Sequence, residues 1–180
     1  LAAPTLLLPG DRFIIRQFSP VITIGGGAVL DGHPAIHRAS DAEVIRFLQV
    51  AERGEPEARL EALIQQSGEA SLAVLVARTG WPTEEILRLA HTLEAQHRVN
   101  TLGQPGHQFV HAKHFTAISQ GVLKTLAAFH AANPLVSGMS KEELRARAAS
   151  STTQPSAMLF NSVLQALVST RKAEVRGETV

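Results

Sequence analysis

The sequence predicts a mostly α-helical fold with small β elements, built as two similar units in tandem behind a short β segment. Three observations carry that expectation. Apolar residues recur at helical spacing, as in Leu60, Leu63 and Ile64 or again in Leu159, Val163 and Leu164. Gly, Pro, Ser and Asn punctuate those runs. One order of elements occurs twice: helix, short helix after a turn, helix, then strand-like residues. The 180 residues are 44% hydrophobic and 18% charged, enough apolar surface for such units and too much for a disordered tail.

The chain opens in β texture. Arg12-Phe13-Ile14-Ile15-Arg16-Gln17-Phe18 is rich in β-branched and aromatic residues, and Ser19-Pro20 marks a turn. Val21-Ile22-Thr23-Ile24 resumes the pattern. Gly25-Gly26-Gly27 then interrupts it before Ala28-Val29-Leu30, pointing to a bulge or to close approach of another backbone. Two or three strands bury no core alone, so residues 1–32 read as the last strands of an incomplete β domain. With no initiator Met, the chain is expected to be a fragment of a longer protein.

Residues 33–55 read as a linker carrying a helix. His33-Pro34 breaks the strand, and Ser40-Asp41-Ala42-Glu43 is a capping box ahead of Val44, Phe47 and Leu48. Gly54 and Pro56 mark a stop and a restart. Residues 56–112 form the first unit. Its first helix ends near Ser67-Gly68, and a short one runs from Leu72 to Arg78 before Thr79-Gly80. A third starts at Thr83-Glu84-Glu85, whose acids suit a helix N-terminus, and buries Ile86, Leu89, Ala90 and Leu93. Residues 98–102 and 107–111 flank Gly103-Gln104-Pro105-Gly106 as a hairpin. A helix-turn-helix followed by a hairpin is a winged helix, and a plain three-helix bundle has no use for the hairpin.

Residues 113–180 repeat the plan as a second winged-helix module. Phe115, Ile118, Val122, Leu126 and Phe129 mark a long helix ending near Asn133-Pro134, and Ser140-Lys141-Glu142-Glu143 caps a short helix reaching Ala148. Leu159, Val163, Leu164 and Leu167 mark the third helix. The strand-like Ala173-Glu174-Val175-Arg176 follows, four residues from the end of the sequence, so the second wing reads as truncated.

Charge is spread unevenly. Residues 1–55 hold 5 basic and 6 acidic side chains, residues 56–112 hold 4 and 6, and residues 113–180 hold 8 and 4. The total of +1 excludes a wholly basic nucleic-acid coat and conceals a last third at +4. The absence of Cys excludes thiolate nucleophiles, thiolate zinc sites and redox pairs, and fits a reducing, cytoplasmic setting. No apolar run approaches the roughly 18 residues that span a bilayer, so no membrane partner is expected.

Few residues invite chemistry. Gly25-Gly26-Gly27 lacks the spacing and the lysine of a phosphate loop. His107, His111 and His114 are the densest histidine group, and the first two share a strand face. No carboxylate or Cys nearby completes a metal site, so a solvated hairpin edge is the expectation. His33 and His37 are read as linker residues. Trp81 is expected to pack at the turn into the third helix, with an exposed interface role as its rival. Ser140 is explained by its helix, no triad stands out, and no catalytic residue is assigned.

The basic set of the second module is the candidate binding site. Lys141, Arg145 and Arg147 lie on its second helix, and Arg171, Lys172 and Arg176 cluster at the end of the third helix and the following strand. Such a cluster binds phosphates through counterion release, although Glu142, Glu143 and Glu174 offset part of it. Neither third helix reads as a major-groove reader. The first carries Glu84, Glu85 and Glu94 against Arg88 and Arg98, and the second has no basic residue between Ser156 and Ser169.

Two stretches resemble a known family. Asp11-Arg12-Phe13-Ile14-Ile15-Arg16, through Ser19-Pro20, to Thr23-Ile24-Gly25-Gly26-Gly27-Ala28-Val29-Leu30-Asp31 resembles the end of the last β-barrel domain of a translational GTPase. Its Ser-Pro and Thr-Ile-Gly-Gly-Gly form is similar to the bacterial selenocysteine-specific elongation factor (SelB) family. Asn133-Pro134-Leu135-Val136-Ser137-Gly138-Met139-Ser140-Lys141-Glu142-Glu143-Leu144-Arg145 is similar to that family's winged-helix region. The resemblance implies a factor that delivers selenocysteinyl-tRNA to the ribosome at UGA codons and recognises a downstream mRNA hairpin. The resemblance further implies that GTP and Mg belong to a GTPase domain outside this chain, and that the module gripping the hairpin lies outside it too. No catalytic or hairpin-binding residue of the family therefore carries over. This fragment is expected to be a monomeric, cofactor-free arm with weak RNA backbone contact. Its partners, selenocysteinyl-tRNA, the mRNA hairpin and the ribosome, are those of the parent. The rivals are a DNA-binding transcriptional regulator and a protein–protein module.

Overall fold

A computed structural model describes residues 5–34, 36–38, 40–103, 108–148 and 154–180. The fold is mostly α with small sheets. Strands β1 (Arg12–Gln17) and β2 (Ile22–Ala28) pair antiparallel. The glycine run does not interrupt β2; it lies inside it, with Gly25, Gly26 and Gly27 opposite Ile15, Ile14 and Phe13. The register slips between Ile15 and Arg16, so a bulge is present. Close approach is present as well. A Cβ on Gly26 would stand 2.6 Å from the Phe13 carbonyl oxygen, and one on Gly27 would stand 3.0 Å from the Phe13 ring. Every residue of both strands is exposed, Phe13, Ile14, Ile15, Ile22 and Ile24 included.

The ribbon is tied to the helices through its ends. Gly10 N–H donates to Val29 (2.8 Å) and Val29 N–H to Asp11 (2.8 Å), Leu30 packs on the first core, and Asp31 pairs with Arg78 (2.8 Å). Helix α1 (Ala42–Arg53) follows, capped by Asp41. The cap is thus Asp41 and not the Ser40 expected, and Val44 three residues on completes no capping box: the Asp41 carboxylate accepts the N–H groups of Glu43 (3.0 Å) and Val44 (3.4 Å). A carboxylate in that place also suits the helix dipole.

The first module comprises α2 (Pro56–Ser67), β3 (Glu69–Ser71), α3 (Leu72–Thr79), α4 (Thr83–Ala95), β4 (Val99–Leu102) and β5 (Gln108–His111). The strands form an antiparallel sheet in the order β3-β5-β4. Its core joins Phe47 and Ala51 of α1 to Leu60, Ile64, Leu75, Ile86, Leu89, Leu93, Val99 and Phe109. The sequence pattern does not announce β3, because three residues are too few for a period-2 alternation. On α4, a side-chain hydrogen bond from Arg88 holds the Glu85 carboxyl below the usual carboxylate range. A lowered value stabilises the fold above the unfolded-state value and is lost as pH falls through the folded one. Glu85→Gln is therefore expected to be less stable than the parent at neutral pH. The difference should vanish on acidification in thermal melts.

The second module comprises α5 (Ala112–Ala132), α6 (Lys141–Ala148) and α7 (Ala157–Ser169). Ile118, Val122, Leu126, Leu144, Leu159, Val163, Leu164 and Leu167 fill its core. Residues 173–180 fold back onto the start of α6. Met139 and Val180 exchange both backbone hydrogen bonds (3.1 and 3.0 Å), Ser140 bridges Thr179, and Thr179 bridges Arg176. The order 140–179–176 reproduces β3-β5-β4 in miniature. This small ribbon stands where the sequence suggests an unfinished wing.

Candidate nucleic-acid interface

The joint between the modules decides which surfaces are open. Successive strand residues point to opposite faces of a sheet. Val99 and Phe109 enter the first core, while Leu102 and Val110 enter the second. The first module's sheet is therefore the wall between two cores. α5 begins directly after β5, with His111 as the last strand residue and the cap of the helix.

His111 is buried at 4% exposure, which corrects the expectation of a solvated hairpin edge. Its Nδ1 accepts the Lys113 N–H (3.2 Å), which leaves Nε2 as the donor toward Glu61 Oε1 at 3.3 Å. Arg98 Nε donates to the same Glu61 oxygen (2.8 Å) and Arg98 Nη2 to its partner oxygen. One carboxylate on α2 thus serves three N–H donors from two residues at the base of the wing. The His114 ring lies against Gly68, and His107 lies outside the described residues. No group of three metal-ligating side chains occurs among the described residues.

Across the joint, Glu69 of β3 accepts both the N–H (3.2 Å) and the hydroxyl (2.8 Å) of Ser156, the residue that caps α7. Met158 lies so close to Gly103 that a Cβ there would be 2.8 Å from its sulfur. The N-terminal cap of α7 is therefore docked on the first module, although Ala157 and Met158 of its first turn stay exposed. A recognition helix presents that end to the major groove. The α4 surface offers Glu84, Glu94 and an Arg88 already paired with Glu85 (2.8 Å).

Trp81 is half-buried against the first core, beside a cavity of about 50 Å³ that Leu30, Phe47 and Leu63 also line. It packs at the turn, as expected, and its interface role loses its footing. Gly25, Gly26 and Gly27 sit inside a hairpin and precede no helix, so they do not fit a nucleotide phosphate site.

The six candidate cations divide into two groups. Lys141 pairs with Glu178 (3.5 Å), Arg147 with Glu143 (2.7 Å) and Arg176 with Glu174 (2.9 Å). Among the described residues, Arg145, Arg171 and Lys172 have no acidic partner, and Arg145 Nε is buried without a hydrogen bond. Backbone pairing of residues 139–140 with 179–180 brings Lys141 onto the same ribbon as Arg176. Arg171 and Lys172 stand at the C-terminus of α7, where cations suit the dipole. Arg145 and Arg147 lie further along α6. Sequence reasoning missed Glu61, Glu69 and Asp31, each an acid whose partner lies far along the chain.

Two tandem winged helices sharing one sheet as a common wall define the class of this protein. Residues 123–180 match the family described as "Elongation factor SelB, winged helix". The chain is also 25% identical over 137 residues to the selenocysteine-specific elongation factor of Desulfomicrobium baculatum, a match covering 75% of this chain and 22% of that protein. Both findings support the resemblance carried by the sequence: this is a winged-helix region similar to part of a selenocysteine-specific elongation factor. Among the described residues, no helix is long and apolar enough to cross a membrane.

Proposed function

We propose that this chain is a stiff arm within a translation factor that delivers selenocysteinyl-tRNA at UGA codons. The arm links a GTPase and tRNA-binding body to an mRNA-hairpin-binding module, and its second module runs beside RNA with weak contact to the backbone. The observation that carries this reading is the shared wall. Leu102 and Val110 belong to the first module in sequence and to the second in packing, so the two are held at one angle. An arm needs that constancy, whereas independent binding modules do not. The docked cap of α7 and the acidic face of α4 weigh against the transcriptional-regulator alternative.

The chain has no cysteine, so labels can be introduced one pair at a time. Spin labels at the exposed positions Ala95 and Ala127 should give a single narrow distance distribution. A broad distribution would show hinged modules and overturn the stiff arm. Glu69→Ala removes the acceptor of Ser156 and should broaden that distribution, at a stability loss of about 1–2 kcal/mol for two part-buried donors left without a partner. In the intact factor the same variant should lower selenocysteine insertion while leaving GTP hydrolysis unchanged. Full insertion with a loosened joint would sink the linking role.

A further inference from the structure

The two modules match residue for residue at their wings, and the match exposes an exchange of chemistry. His97 and Arg171 adopt the same left-handed backbone (φ 58° and 57°) at the ends of α4 and α7. The N–H groups of the next residues, Arg98 and Lys172, reach back to the carbonyls of Leu93 and Leu167, each at 2.9 Å. Ser71 and Ser140 cap the second helices, each at 3.3 Å. Across the sheet, Leu102, Gln108 and Ser71 lie side by side in the first module, as Arg176, Thr179 and Ser140 do in the second. Leu102 therefore corresponds to Arg176, Arg98 to Lys172, and Glu69 to Gly138.

In the first module those three positions are occupied in holding protein. Leu102 fills the second core, Glu69 accepts both donors of Ser156, the cap of α7, and Arg98 is bound by Glu61 of its own module. None of this recurs in the second module. Arg176 and Lys172 are exposed, and Arg171 beside them is exposed too. Position 138 cannot take over the part of Glu69. A Cβ there would run into the Val180 carbonyl oxygen and stand 2.8 Å from Thr179 Cγ2. Leu102 and Glu69, which hold the next module in the first repeat, are replaced by Arg176 and Gly138 in the second, and the exposed cations Arg171 and Lys172 stand near Arg176 in sequence.

We propose that this face, formed by Arg171, Lys172 and Arg176, is a contact surface for the phosphate backbone of structured RNA. The proposal rests on the reading of the chain as an arm beside RNA, and it names the residues that touch it. Glu174 and Glu178 lie on the same ribbon, paired with Arg176 and Lys141. Both acids are more than two-thirds exposed, and such pairs contribute little and yield to a phosphate. Residues 170–180 include no aromatic side chain, so unpaired bases have no platform to stack on. A duplex or stem backbone is the ligand that fits.

The test uses the 180-residue chain and a fluorescent RNA duplex of arbitrary sequence, with binding followed by anisotropy over a range of salt. Two charge-matched variants are compared: R171Q/K172Q on the proposed face and K113Q/K124Q on the exposed side of α5. The first should lower the slope of log K against log salt by about 2, near 0.9 for each phosphate no longer neutralised. The second should leave the slope unchanged. Arg176→Leu, which installs the first module's residue, should weaken binding further while the far-ultraviolet spectrum is retained. Equal weakening by both double variants would overturn the proposal, as would no binding at the lowest salt. Displacement of the duplex by polyglutamate as readily as by unlabelled RNA would overturn it too, pointing to an acidic protein instead. The spin-label distance between Ala95 and Ala127 does not depend on RNA, so failure of the arm and failure of this face are told apart.

Discussion

Leu102→Ala is expected to destabilise the second module more than the first, although residue 102 belongs to the first module's wing. Its side chain is 7% exposed and lies among the core residues of α5 and α7. Truncation leaves a cavity at the wall between the two cores, with an expected loss of about 2–4 kcal/mol. Val99→Ala, three residues earlier on the same strand, is the matched comparison, because Val99 faces the first core. Hydrogen exchange resolves the two. Leu102→Ala should raise exchange across α5 and α7, and Val99→Ala across α2 and α4. If both variants loosen the same helices, the sheet is not a wall between separate cores.

Asp31→Ala carries the other large expected effect. Asp31 and Arg78 pair at 2.8 Å with side chains only 6% and 14% exposed. Arg78 also donates to Gln66 Oε1 (2.8 Å), and its Nε is buried without a partner. Removing the acid leaves a guanidinium held out of water with its charge uncompensated. A loss of about 3 kcal/mol follows from breaking a buried pair on one side. Replacing both partners is different: in Asp31→Ala with Arg78→Met, most of that stability should return, since the desolvation of the charge disappears along with the attraction. Thermal unfolding of the two variants decides it. A double variant no more stable than Asp31→Ala alone would show that the pair contributes through packing and not through charge.

The helices are legible because each rests on its own apolar stripe, and several on a local cap. Ser140 and Ser156 stand where side-chain oxygens meet free N–H groups, and the long stripe from Phe115 to Phe129 defines α5 almost to its ends. The joint was hidden because its partners lie far apart: Glu69 and Ser156 are separated by 87 positions, and Glu61 and His111 by 50. One local signal was present. Phe109-Val110 places adjacent apolar residues on a strand, which requires both faces of the sheet to be covered. His111 differs from the expected solvated hairpin edge for a related reason: its partner Glu61 lies on α2, 50 positions earlier, and α2 of the first module covers the ring. The basic third of the chain was evident from composition alone. Which cations are held by Glu143, Glu174 and Glu178 depends on pairing across the ribbon and on helix register.

The passage from β5 into α5 without an intervening residue has a practical consequence for anyone dividing this chain. A cut after His111 would strip α5 of its cap and expose Leu102 and Val110 on one product. The other product would lose the wall of its hydrophobic interior. Sequence repeats count two units here, but the smallest piece expected to fold reversibly is the pair. Unfolding of the two modules, taken with α1 and Asp31, which complete the first core, should accordingly proceed as one cooperative transition, with no stable half.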